Sequence, residues 1–162
     1  MKIYNKIALI CLMLISLMGC DRSNYDIDLE ELPEFTITIY YLDTCGSCRA
    51  LKDNLVPEIK SAFKGKVTIN QISADNQAGI EAYAKIVGYH DEQTGEFIEG
   101  KLIDFDENFI DMYYVPFVVV DDRYAFLGFD ERFIDKYIED IESALLSREL
   151  STELAEGRWF FK

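Results

Sequence analysis

Cys45-Gly46-Ser47-Cys48 is the segment with the clearest capacity for chemistry. It follows an alternating, β-type run and opens a helical one. At a helix N-terminus the free N–H groups and the helix dipole favour an anion. That position stabilises the Cys45 thiolate, the attacking species in disulfide exchange. Cys48, one turn on, faces inward and can resolve a mixed disulfide by attacking the Cys45 sulfur. Gly46 admits a close partner chain, and Ser47 adds no charge. Three blander readings stand beside this one. A structural disulfide is disfavoured because so short a loop constrains the unfolded chain least. A zinc half-site would need a second copy, since no second Cys pair exists and His90 is the only His. Two buried inert thiols sit poorly at a helix start. The leading reading calls for no metal and no cofactor.

The whole chain sets bounds on that chemistry. Its 162 residues make one domain of ordinary size with small extras, enough for a core without disulfide staples. Hydrophobic residues make up 49% and charged residues 28%, so the chain is not disordered by composition. The formal charge of −14 argues against nucleic acid as a partner and against electrostatic docking on anionic lipid.

Residues 1–19 read as an address. Lys2 and Lys6 precede an apolar run, Ile7–Met18, broken only by Ser16. A spanning helix needs about 20 residues, so this run fits a signal-peptide core better than a membrane span. It closes on Leu17-Met18-Gly19-Cys20, which resembles the lipobox of bacterial lipoproteins. That resemblance implies cleavage before Cys20, lipidation of Cys20, and a mature chain held on the outer side of the cell membrane, where disulfides persist. Cys11 leaves with the peptide, so Cys45 and Cys48 remain as the free thiols. Residues 20–34 are acidic and read as a solvated tether.

The elements that position the cysteines follow. Phe35–Tyr41 and Val67–Ile72 alternate as strands. Cys48–Phe63 carries Leu51, Leu55, Ile59, Ala62 and Phe63 at helical spacing, with Pro57 kinking the run or starting its last segment. Asp75 or Asn76 caps a helix that Gly88 stops. Residues 89–112 form a structured acidic insertion, with a hairpin and a short helix. Phe117–Val120, the Asp121-Asp122-Arg123 turn and Tyr124–Leu127 make a hairpin, and Asp130 caps a last helix. The domain thus spans 35–148, and 149–162 is a tail whose Trp159, Phe160 and Phe161 pack on the domain, touch the membrane or contact a partner; packing on the domain is the simplest.

The motif and its setting resemble the thioredoxin superfamily. Besides Cys45–Cys48, Ile72-Ser73-Ala74-Asp75-Asn76, Ala82–Gly88, Val115-Pro116 and Leu127-Gly128-Phe129 fall in family order. The resemblance implies an α/β, thioredoxin-like fold: a mixed central sheet of about four strands flanked by helices, with an insertion before a cis-proline loop at Pro116. It implies a redox-active Cys45–Cys48 disulfide, a substrate groove shaped by Gly46, Ser47 and Pro116, and Val115 backbone pairing with an extended substrate. Thr44 stands where thioredoxins carry Trp, and Ile39 where they carry a buried acid. CGSC also lacks the His of strongly oxidising members. The expected activity is therefore reduction or isomerisation of disulfides in exported proteins, with electrons from a membrane thiol carrier. Two alternatives remain open: a non-catalytic binding lipoprotein with the same fold, and an accessory thiol protein for an exported peptide such as a bacteriocin.

Overall fold

The structure, a computed structural model, describes residues 25–106, 114–154 and 157–162. Cys20 and the expected leader lie outside the described residues, as does much of the segment expected to hold a short helix in the insertion. In chain order the elements are β1 (Phe35–Tyr41), α1 (Gly46–Ala50), a π turn (Leu51–Leu55), α2 (Val56–Ala62), β2 (Val67–Ser73), α3 (Gln77–Val87), β3 (Gly88–His90), β4 (Phe97–Glu99), β5 (Phe117–Val120), β6 (Tyr124–Leu127), a 3-10 turn (Glu131–Phe133), α4 (Ile134–Leu145) and β7 (Arg158–Phe160).

Alternation along the strands builds a three-layer α/β body. Ile37 and Ile39 of β1 and Val118 and Val120 of β5 enter one core, beneath the π turn, α2 and α4. Tyr40, Phe117 and Val119 point the other way, to α3. The mixed sheet has five strands in the order β2-β1-β5-β6-β7. Only the β1–β2 pair is parallel. The β5–β6 connection is three residues, Asp121–Arg123, with positive φ at Asp121 (50°) and Asp122 (49°), and the Arg123 N–H closes the turn on the Val120 carbonyl (2.9 Å).

The helical run after Cys45 explains Pro57. The Val56 N–H bonds to the Leu51 carbonyl, five residues back, which makes the π turn. α2 then restarts with Pro57 in its first turn, where a missing N–H leaves no bond unmade. The extra residue keeps Leu51, Leu55, Val56 and Ile59 all in the core.

Two expectations change. Residues 25–34 are not a solvated tether. Leu32 is buried, and Tyr25, Ile27 and Leu29 pack against the same core. Lys66 Nζ donates to the Leu32 carbonyl (2.9 Å), and Tyr25 OH to Asp135 (2.9 Å). Acidic residues alternate with apolar ones here, so one face of an extended segment docks while the other stays wet. The sheet also has a fifth strand rather than about four, because the tail forms β7 on β6. Trp159 packs on Phe105 (4.8 Å between ring centroids) and Phe117 (6.1 Å), the domain-packed placement expected as simplest. Arg158 reaches Asp140 of α4, which is 0% exposed (2.7 Å). Asp140 also accepts from Tyr124 OH (3.2 Å) and the Ser151 N–H (2.7 Å).

The buried tyrosines set a pH limit. Burial holds the phenols of Tyr124, Tyr137, Tyr40 and Tyr25 above the ordinary tyrosine range, and Asp140 beside Tyr124 adds to its shift. The unfolded chain ionises its tyrosines near pH ~10. The folded state keeps its protons there, so stability from these groups is complete below that pH and is lost as pH rises above it. The urea midpoint is expected to fall between about pH 9.5 and 11. A midpoint level across that range would contradict it.

Candidate functional site

The lead-in to the cysteines is tied to the end of β2. The Ala74 N–H donates to the Tyr41 carbonyl (2.8 Å), and the Asp43 N–H to Asp75 Oδ2 (2.8 Å). Ser73 Oγ donates to the same Asp75 oxygen (2.9 Å). The Cys45 N–H then closes a turn on the Leu42 carbonyl (3.1 Å). Cys45 is the N-cap of α1, with extended backbone (φ −77°, ψ 116°). Its Sγ accepts the Cys48 N–H (3.1 Å), the role a cap oxygen plays elsewhere.

Cys45 and Cys48 are disulfide-bonded, with Cα atoms 5.3 Å apart. Their environments differ. Cys45 is half-buried, whereas Cys48 is 0% exposed beneath the start of the helical run. Gly46 is exposed, and a Cβ built there would meet nothing within 4 Å, so the space above the motif is open. Ser47 Oγ lies 3.3 Å from Cys45 Sγ.

The Val115–Pro116 segment faces Cys45 across the end of the sheet. Val115 O lies 3.7 Å from Cys45 Sγ, and the Val115–Pro116 peptide bond is cis. The segment is gripped on both sides: the Gly128 N–H donates to the Pro116 carbonyl (2.8 Å) and Tyr83 OH to the Tyr114 carbonyl (3.3 Å). The structure therefore brings together Cys45, Ser47, Cys48, Val115 and Pro116, with Gly46 at the open rim. Ile39 is wholly buried in the core with the π turn and α2. His90 sits in β3 with its ring tilted against Phe97 (5.6 Å between ring centroids). Among the described residues, no three His, Cys, Asp or Glu side chains converge as metal ligands would.

One neighbour was not foreseen. Lys52, one turn beyond Cys48, lays its ammonium over the Tyr41 ring. Burial lowers its pKa, and Asp43 works in the opposite direction. The i, i+4 spacing from Cys48 was the available signal, but Lys52 reads as one of many helix-surface cations until Tyr41 is placed beside it.

Comparison of the chain with protein-family models, with curated proteins and with solved structures found no match. Among the described residues no helix is long and apolar enough to cross a membrane.

Proposed function

We propose that the chain is a thiol–disulfide oxidoreductase of thioredoxin-like fold that reduces or isomerises disulfides of exported proteins. The carrying observation is the asymmetry of the pair: a half-buried Cys45 at the start of a helical run, and a fully buried Cys48 behind it. Only Cys45 is open to a partner chain, and only Cys48 is protected from one. In the reduced protein the Cys45 thiolate attacks a substrate sulfur and expels the other as a thiolate. Cys48, deprotonated, attacks Cys45 Sγ, which releases the second substrate thiol and closes the Cys45–Cys48 bond. Two electrons pass to the substrate, and a two-electron donor of the membrane thiol-carrier class must return them. The Val115 carbonyl beside Cys45 supports pairing with an extended substrate segment. The apolar leader ending in Gly19-Cys20 supports a lipid anchor outside the cytoplasmic membrane.

Insulin reduction by the full chain, with dithiothreitol as donor, tests the reading. Turnover above the dithiothreitol background is expected, and its loss in Cys45→Ser. A rate equal to background, or one that survives in Cys45→Ser, overturns it.

A further inference from the structure

α3 divides its side chains between two surroundings. Tyr83, Ile86 and Val87 enter the core against the sheet. Ile80, Glu81 and Ala84 line the outer side, facing the β3–β4 hairpin across a groove of about 550 Å³. The hairpin is fixed at the far end of α3. The Lys101 N–H donates to the Ile86 carbonyl (2.8 Å), and a Cβ on Gly100 would come within 2.2 Å of that same oxygen. Gly100 is thus required for the close approach that forms the groove.

The groove has an apolar floor and an acidic margin. Ile80, Ala84 and Tyr89 supply the floor, and Tyr89 is 43% exposed. Glu81, Asp91 and Glu92 stand along the margin against one ammonium, Lys85, and the His90 ring. The turn bearing the acids is tied down, since Asp91 Oδ1 accepts the N–H groups of Gln93 (3.0 Å) and Thr94 (2.8 Å). Those bonds hold the Asp91 carboxyl below the usual range, so it stays anionic. The groove also reaches the redox end of the sheet. Gln77, in its wall, directly follows the Asp75–Asn76 turn, and Asp75 anchors Asp43 two residues before Cys45.

We propose that this groove is a docking site for a basic segment, carrying an apolar side chain, of the polypeptide whose disulfide meets Cys45. The inference rests on the oxidoreductase reading and names its substrate class. Charge complementarity decides the occupant: the margin is acidic and the whole chain carries −14, so an acidic segment is repelled from the same surface. The apolar floor gives a basic segment a place to bury one side chain, which a merely charged surface lacks.

Fluorescence anisotropy with the full chain and a labelled, cysteine-free peptide of alternating Lys and Leu isolates docking from chemistry. At low salt this peptide is expected to bind at least about tenfold more tightly than its Glu-for-Lys counterpart, and the difference to shrink near about 0.5 M salt. Glu81→Lys with Glu92→Lys should remove at least about tenfold of that affinity, and Glu92→Lys alone part of it. Glu34→Lys with Glu149→Lys changes the net charge equally but leaves the groove intact. If that pair weakens binding as much, or if the two peptides bind alike, the docking site is refuted. Reduction of a short neutral disulfide peptide by the unaltered protein is measured alongside. Its absence would overturn the oxidoreductase reading, while the anisotropy result would still decide whether the groove binds basic peptide.

Discussion

Cys48→Ser protein is expected to accumulate covalent mixed disulfides with its substrates, and Cys45→Ser protein to accumulate none. Cys45 is half-buried, with open space above Gly46, so it can reach a partner sulfur. Its Sγ accepts the Cys48 N–H at the start of a helical run, an arrangement that favours negative charge on Cys45 over Cys48. Cys48 is fully buried and cannot meet a substrate, but it lies within bonding reach of Cys45. Removing it therefore blocks only the second exchange, and the first product persists. Multiple turnover should fall by more than about a thousandfold in Cys45→Ser, as expected when a nucleophile is deleted. Non-reducing gels after acid quenching, with the two variants in parallel, read the outcome. Equal trapping by both would contradict the division of labour.

Asp140→Ala is expected to destabilise the protein by about 3–5 kcal/mol, because it strands a largely buried guanidinium and two further donors. Asp140 is 0% exposed and binds Arg158, Tyr124 OH and the Ser151 N–H together. Arg158 in turn donates to the Ser151 carbonyl (2.5 Å). Arg158→Ala should cost a similar amount by leaving the buried carboxylate without its counter-charge. The pair Asp140→Ala with Arg158→Ala should cost less than the two singles summed, since neither charge is then stranded. Urea titrations of the three variants measure this, and strict additivity would show that the ion pair has no coupling to report.

How far these features could be read from sequence depended on their range. Phe35–Tyr41 announces itself by local alternation and Phe117–Val120 by an unbroken, mostly β-branched apolar run, and both form as expected. The Cys45–Cys48 spacing is equally local. The closeness of Val115 to Cys45 is not local; it was reachable only through the order of motifs along the chain. In residues 25–34 an acidic composition hides an alternating apolar face that ends in buried Leu32. β7 was missed because Arg158–Phe160 is too short to show a period. The Asp140–Arg158 pair had no signal at all: a buried carboxylate on a helix looks like any surface acid until its partner arrives from a distant strand.

β7 also has a consequence for the order in which the molecule can be made. The strand follows α4 by a dozen residues, and its Arg158 pairs with a carboxylate buried in α4. A chain emerging from the ribosome presents α4 before Arg158 exists outside the exit tunnel. Until then Asp140 resists burial, and the edge of β6 is unpaired. This part of the core can therefore close only once β7 has been made, so a strand far along the chain times the completion of a layer laid down before it.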